Sequence, residues 1–315
     1  MELVSKNRIG AVWKQYNTFF ILIVIIIASS LMSNKFFTAT NVPVLMRQIA
    51  PVGITSIGML IVVCMGGIDL SVGSIMAVGC VLGAPIINQT GSISFCVAVV
   101  LVTGLVLGAV SGYFIAFMNI APFVMTLAMM TIATGISYIY SKARPVQFTD
   151  RRFSDFIQSY FFGIPTPVIF MIVICIIAYC MFRYTLMGRM FLAIGSNEES
   201  VRLSGINVRK YKFIGYAISG VLSAWCGLMM AGRTNVSSPL VGNGAEMDAI
   251  AADVIGGASH AGGRGSVPNT LMGAIILGII SNIMNLMNIP AYPQNVVKGV
   301  IIILAVVIQQ FDKKK

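Results

Sequence analysis

Asp69 stands beside an apolar run and is flanked by glycines, by Ser71 and by Gly73. If this part of the chain crosses a membrane, a carboxylate there is costly and indicates function. The Asp69 carboxylate or the Ser71 hydroxyl is also suited to cap a helix that starts near Val72. The two roles are compatible, because a broken helix needs a cap and a lined cavity needs polar groups.

A second aspartate, Asp253, interrupts the apolar run of residues 249–255, and Glu246 and Asp248 precede it. Such a carboxylate relays protons, contacts a substrate hydroxyl or faces a water-filled vestibule. No basic residue lies at helical spacing from Asp253, and this argues against the proton relay. The three readings stay open.

The other residue types that carry chemistry are sparse. His260 is the only histidine, and the six cysteines lie in apolar stretches without a CxxC pair. The sequence contains no phosphate-binding Gly-x-x-x-x-Gly-Lys-Ser/Thr motif. We therefore expect no catalytic residue, no metal and no cofactor, and an intramembrane enzyme is disfavoured.

The composition indicates a membrane protein. The chain has 315 residues, of which 57% are hydrophobic and 10% are charged, and its mean hydropathy is +0.90. A soluble domain has about 25% charged residues, because its surface faces water. The net charge of +11 fits basic residues that orient a membrane protein, and no basic run with interleaved aromatics suggests a nucleic-acid partner.

The apolar runs predict an all-α integral membrane protein with one transmembrane domain over residues 1–315 and about ten transmembrane helices. The runs are 16–33, 49–65, 74–87, 93–118, 122–140, 164–182, 213–231, 249–261, 271–287 and 295–308.

Glycine-rich segments near residues 66–73 and 255–267 interrupt this pattern, one in each half of the chain. Paired interruptions of this kind predict a pathway or a gate built at broken helices. We expect the pathway or its gate to be lined by Asp69, Ser71, Gly73, Asp248 and Asp253.

Basic residues predict the orientation. With an even number of spans, the N-terminal cluster, the loop 183–212 and the tail 313–315 share one side, which the positive-inside rule makes the cytoplasm. The segment 141–163 then lies on the extracytoplasmic side, although it carries four basic residues.

The loop 183–212 contains the signals of a short helix. Asn197 is suited to cap a helix that begins at Glu198, acidic residues occupy its first turn, and Gly205 suits its end. A capped helix in such a loop presents a rigid surface; the alternative is a simple amphipathic connector.

Three motifs resemble the ribose-type permeases of ABC importers: Gly67–Ser74, Gly188–Ile206 and the run 246–257 with its two glycines. Their order and spacing match from about Phe36 to the C-terminus. The chain departs from the pattern at Asp253, where a small apolar residue is usual, and at Pro268 and Asn269.

The resemblance implies a multi-pass protein of the cytoplasmic membrane, in contact with membrane lipid and with both termini in the cytoplasm. It implies three protein partners: a second permease copy, a cytoplasmic ABC ATPase and an extracytoplasmic sugar-binding protein. The loop 183–212 would couple to the ATPase through Gly188, Arg189, Gly195, Asn197, Arg202, Leu203, Ser204 and Gly205.

Two rival functions remain. A secondary transporter driven by an ion gradient would use Asp69 and Asp253 as proton carriers. Within the ABC class, a branched-chain amino acid permease shares the architecture, and only the motif match separates it. The sequence does not identify the sugar.

Overall fold

The computed structural model describes residues 18–313, and within them the side chains of residues 18–301 and 303. The predicted N-terminal basic cluster lies outside the described residues. The helices are α1 Thr18–Met32, α2 Asn41–Cys64, α3 Val72–Thr90, α4 Ile93–Phe117, α5 Pro122–Ser141, α6 Arg152–Gln158, α7 Thr166–Tyr184, α8 Leu186–Ser196, α9 Glu198–Leu203, α10 Val208–Thr234, α11 Ala245–Ile255, α12 Val267–Leu286 and α13 Ala291–Lys313. The strands are β1 Val146–Gln147, β2 Tyr160–Phe161, β3 Ile164–Pro165 and β4 Val236–Ser237.

Seven helices among the described residues are long and apolar enough to cross a membrane: α2, α3, α4, α5, α7, α10 and α12. Helices α1, α11 and α13 occupy the three remaining predicted runs. The all-α membrane class is thereby confirmed, and the count of ten is approximate, because α11 has only 11 residues. The main shift in bounds is at α2, which begins eight residues before the predicted run.

Helices α2 and α10 form the centre of the bundle, and α3 and α4 pack on α10. The contact between α4 and α10 uses glycines at a spacing of four, Gly104, Gly108 and Gly112. A Cβ added at Gly104 would lie 2.5 Å from the carbonyl oxygen of Gly220. Small residues at this spacing let two helix backbones approach closely, as in other membrane helix pairs.

The outer helices expose apolar side chains on one face. In α7, Val173, Ile176 and Ile177 are exposed, whereas Met171 and Cys175 on the opposite face are buried. An apolar surface of this kind suits lipid as the surrounding solvent.

The polar segment 142–165 packs against the end of α10. Strand β1 pairs antiparallel with β4, and the Ser154 hydroxyl of α6 donates a hydrogen bond to the carbonyl of Gly232 (2.7 Å). On its surface, hydrogen bonds from the Arg152 side chain lower the pKa of Asp150. The segment is therefore a structured cap on one end of the bundle.

Candidate functional site

The first break, residues 65–71, separates α2 from α3. Helix α2 ends in a Schellman motif: Gly66 has a φ of +79°, and the amide of Gly67 donates to the carbonyl of Val62 (3.0 Å). Glycine adopts this left-handed conformation without steric cost, so the glycine pair ends the helix. The predicted interruption is therefore confirmed, starting one residue earlier than expected.

Asp69 ties the first break to α10. Its Oδ1 accepts hydrogen bonds from the Ser71 amide (3.0 Å) and the Ser71 hydroxyl (2.5 Å), and its Oδ2 accepts one from the Ser219 hydroxyl (2.7 Å). The Asp69 carboxylate is almost completely buried. Ser71 is the N-cap residue of α3 but makes no side-chain cap bond. Asp69 thus fixes the turn that starts α3.

The start of α3 lies directly against the loop before α11. A Cβ added at Gly73 would overlap the carbonyl oxygen of Gly242 and a carboxylate oxygen of Glu246. Gly242 is itself in the left-handed region, with a φ of +89°. Because this contact joins two backbones, only glycine fits at Gly73.

The second break, residues 256–266, separates α11 from α12 and begins with the same type of helix C-terminal motif as the first. Gly257 has a φ of +83°, and the Ala258 amide donates to the carbonyl of Asp253 (2.9 Å), which completes a Schellman motif. Pro268 lies in the first turn of α12, where proline is well tolerated.

The Asp253 side chain points between α11 and α12. Its Oδ1 accepts a hydrogen bond from the Thr270 hydroxyl (2.9 Å), and its Oδ2 has no hydrogen-bond partner among the described residues. The side chain is completely buried. Asp253 therefore links two helices and does not face a vestibule in this conformation.

The loop 183–212 meets both breaks at one point, a contact that we call the glycine junction (Cys64, Gly195, Gly262 and Gly263). The Gly263 amide donates to the Cys64 carbonyl (2.9 Å). A Cβ added at Gly195 would overlap both of these groups. The end of α8 is thus seated on the first and the second break together.

The short helix α9 has the caps that the sequence indicates. The Asn197 side chain accepts a hydrogen bond from the Ser200 amide (3.0 Å), and Gly205 follows the helix with a φ of +78°. The acidic residues of α9 form two surface ion pairs, Glu199–Arg202 (2.6 Å) within the helix and Glu198–Lys212 (2.7 Å) with α10.

The other residues predicted in this loop divide by position. Gly188 is buried against the end of α7. Arg189, Arg202, Leu203, Ser204 and Gly205 are exposed. Leu203 is 78% exposed, so an apolar side chain stands in an otherwise polar surface.

A cavity of about 200 Å³ lies between α2, α3, α10 and α11. Asp248 lines it, and the Asp248 Oδ2 accepts a hydrogen bond from the Lys298 ammonium (2.9 Å). The remaining lining residues are Gln48, Pro51, Val52, Thr55, Met76, Met230, Arg233, Gly242, Asn243 and Ala245.

Sequence reasoning missed the polar residues Gln48, Thr55, Arg233 and Asn243 of this cavity. A signal for two of them existed: Gln48 and Thr55 are seven residues apart, and this spacing places them on one face of a helix. No comparable pattern marks Arg233 or Asn243.

The structure does not gather the five predicted pathway residues. Asp248 lines the cavity, and Gly73 contacts Gly242 at its wall. Asp69, Ser71 and Asp253 are buried in contacts between helices. Their role in a pathway stays a prediction.

A bundle of apolar helices with two glycine-rich breaks, a cavity lined by apolar and polar side chains, and an exposed loop seated on the breaks has the architecture of a membrane transport protein. The profile of the branched-chain amino acid transport system / permease component family matches residues 41–306. The chain belongs to this family of permease components.

Named relatives match over nearly their whole length. The chain is 39% identical to the ribose import permease protein RbsC of Escherichia coli (strain K12), over 93% of this chain and 92% of that protein. It is 37% identical to the RbsC of Bacillus subtilis (strain 168), over 99% and 96%. It is 36% identical to the L-arabinose transport system permease protein AraH of Escherichia coli (strain K12), over 98% and 94%. No solved structure matches the chain.

Proposed function

We propose that this chain is the permease subunit of an ATP-driven ABC importer that carries a monosaccharide across the cytoplasmic membrane. The observation that carries the proposal is the loop 183–212, a rigid, exposed element that contacts both helix breaks through the glycine junction. Relatives named for ribose and L-arabinose transport support a pentose or a related sugar as the substrate.

The surface of α9 fits docking on an ATPase subunit. Leu203 offers an exposed apolar anchor, and the Glu199–Arg202 ion pair lies on the same short helix. Isolated exposed apolar side chains are common. Leu203 differs in that it lies on a helix capped at both ends, by Asn197 and by Gly205. We expect such a helix to keep its conformation when it binds a partner.

The positive charges of the chain and its family membership predict its orientation and its partners. By the positive-inside rule, we propose that the basic loop 183–212 and both termini lie in the cytoplasm and that the segment 141–163 lies outside. On the outer side of the membrane, the segment 141–163 would contact a sugar-binding protein. A second copy of the chain would complete the pathway, in which we place Asp69, Ser71, Gly73, Asp248 and Asp253.

Co-purification of the tagged chain with its ATPase subunit tests the proposal. We expect stable association in detergent, and we expect Leu203→Asp to reduce it about tenfold or more, because an apolar anchor is replaced by a charge. Leu240→Asp is the matched control: Leu240 is 68% exposed but lies in the loop before α11.

Equal loss of association in the Leu203→Asp and Leu240→Asp variants would contradict docking of the ATPase on α9. A chain that never associates with an ATPase, and that accumulates sugar under a proton gradient alone, would establish a secondary transporter instead.

A further inference from the structure

We infer that the cavity at Asp248 is a monosaccharide-binding site within the permease itself, which holds the sugar during its passage and contributes to its selection. This inference rests on the proposed function, because it concerns a sugar on a transport route. It adds a binding site with named donors and acceptors, and it assigns positioning roles to Lys298 and Asn282.

The size of the cavity fits one small polar molecule. Its volume of about 200 Å³ is many times the roughly 10–15 Å³ that one water molecule needs. Sites for drug-sized ligands are larger, about 300–1,000 Å³. A cavity of this volume accommodates a single sugar ring.

Charged groups supply both kinds of hydrogen-bonding partner that a sugar hydroxyl needs. The Lys298 ammonium donates a hydrogen bond to the Oδ2 of Asp248. The Oδ1 accepts no hydrogen bond from the described residues and can therefore accept one from a sugar hydroxyl. Arg233 donates through one nitrogen to the carbonyl of Arg47 (3.1 Å), and its other N–H groups can donate to the cavity. Hydrogen bonds to charged groups are about twice as strong as neutral ones.

Gln48 is oriented by a buried amide cluster. The side chains of Asn41 and Asn282 exchange two hydrogen bonds (2.9 and 3.0 Å). The Asn282 amide nitrogen also donates to the Gln48 Oε1 (3.4 Å). Because this bond engages the Gln48 oxygen, the Gln48 amino group is left to donate to a ligand. Asn282 thus positions Gln48 without lining the cavity.

Apolar groups complete the site. Pro51, Val52, Met76 and Met230 form part of its wall, and they suit the C–H surface of a sugar ring. A cavity with a few convergent polar groups on an apolar wall is the usual form of a small-molecule site.

Thiol labelling of the full chain tests binding directly. Asn243→Cys introduces a reactive thiol at the cavity, in a Cys180→Ser background, because Cys180 is the exposed native cysteine among the described residues. The probe is a charged maleimide, with D-ribose or L-arabinose as the protecting sugar. We expect one of the two to slow labelling several-fold, and the sugar alcohol mannitol to have no effect.

Two substitutions link this protection to the proposed contacts. Gln48→Met keeps the length of the side chain but removes its donor, and Asp248→Asn removes the charged acceptor. We expect each to raise the sugar concentration that gives half-maximal protection about tenfold, which corresponds to a loss of about 1.4 kcal/mol of binding. Gln294→Leu is the control, since Gln294 bonds to Asn285 and Ile289 outside the cavity.

Uptake by the reconstituted complex separates the possible failures. ATP-driven uptake of a sugar that gives no protection, or that protects equally in Gln48→Met, would overturn the inference and leave the proposed function intact. Absence of ATP-driven uptake of both sugars would instead count against the proposed function.

Discussion

The buried carboxyl group of Asp253 lies in a contact between two helices, and its contribution to stability can be measured separately from a role in transport. It accepts one hydrogen bond from Thr270 and has no partner for its second oxygen among the described residues. Hydrogen bonds between membrane helices contribute about 0.6 kcal/mol on average and at most about 1.7 kcal/mol. We therefore expect the Asp253–Thr270 hydrogen bond to make a small but measurable contribution to the free energy of unfolding.

A double-mutant cycle on Asp253→Ala and Thr270→Val measures this contact. We expect each single variant to lower the unfolding temperature in detergent, and the double variant to lose less stability than the sum of the two, with a coupling of about 0.5–1.7 kcal/mol. Strictly additive effects would show that the two side chains do not stabilise α11 against α12. Loss of uptake at normal stability in Asp253→Ala would instead support a role in transport.

Asp69 allows a similar test with a different control. Asp69→Ala removes the acceptor of three hydrogen bonds, whereas Asp69→Asn keeps one oxygen for the Ser71 bonds. We expect the amount of folded protein to fall strongly in Asp69→Ala and little in Asp69→Asn, measured by size-exclusion chromatography. Equal loss in both variants would mean that the negative charge itself is required.

The sequence alone indicated both roles of Asp69, a cap or a pathway residue, but did not separate them. The hydrogen bond from the Ser71 amide to Asp69 is a local turn that residue type and spacing predict, whereas the expected side-chain cap bond to the first turn of α3 is not made. The bond to Ser219 crosses 150 positions, and no periodicity in the sequence predicts which distant residue completes a site.

At the scale of elements, α8 is the connection between an exposed loop and the helix breaks. The caps of α9 were predictable, because each lies within a few residues of the helix it ends. The glycine junction was not, because it brings together backbone groups near positions 64, 195 and 263. The sequence indicated Gly195 only as one residue of the coupling loop, whereas the structure places it in a close contact that excludes a side chain.

Gly195→Ala tests the junction. The added methyl would overlap the Cys64 carbonyl and the Gly263 amide, so α8 must move away from the breaks. We expect the variant to insert and to bind its ATPase, but to transport sugar about tenfold more slowly or worse. Uptake and ATP hydrolysis are measured together in proteoliposomes.

Gly135→Ala is the matched control, since a Cβ at Gly135 meets nothing within 4 Å. An alanine inside a helix is otherwise favourable by up to about 1 kcal/mol, so this variant should be fully active. Normal uptake in Gly195→Ala would show that the junction does not carry the movement of the loop.

For the whole molecule, the division between lipid and protein follows from composition, and it was predicted correctly. Long apolar runs must become helices in a bilayer, because every backbone group needs an internal partner. The packing of these helices was less predictable, since lipid-facing and buried positions are equally apolar. The cavity at Asp248 depends on four helices and so emerged only from the structure.

Ile177→Lys tests the lipid-facing side of α7. Ile177 is 62% exposed and lies near the middle of the helix, where a lysine costs about 2.5–3.5 kcal/mol. We expect a clear fall in the fraction of chain that inserts into membranes. Tyr184→Lys is the control, because a lysine at the end of α7 extends its charge to the interface. Equal insertion of both variants would place this face of α7 against protein.

The amide pair Asn41–Asn282 has a consequence for how the protein is made. Its two partners are 241 positions apart, and at about 5–20 residues per second a ribosome needs about 10–50 seconds between them. Helix α2 is the most buried of the seven candidate spans, yet it enters the membrane long before α10 and α12 exist. Until α12 is made, the Asn41 side chain lacks its hydrogen-bond partner. We expect the insertion machinery or a chaperone to keep this polar side chain away from lipid during that time. In a chain truncated before α12, Asn41 would never gain its Asn282 partner, and we expect such a chain to be less stable in the membrane than the full chain.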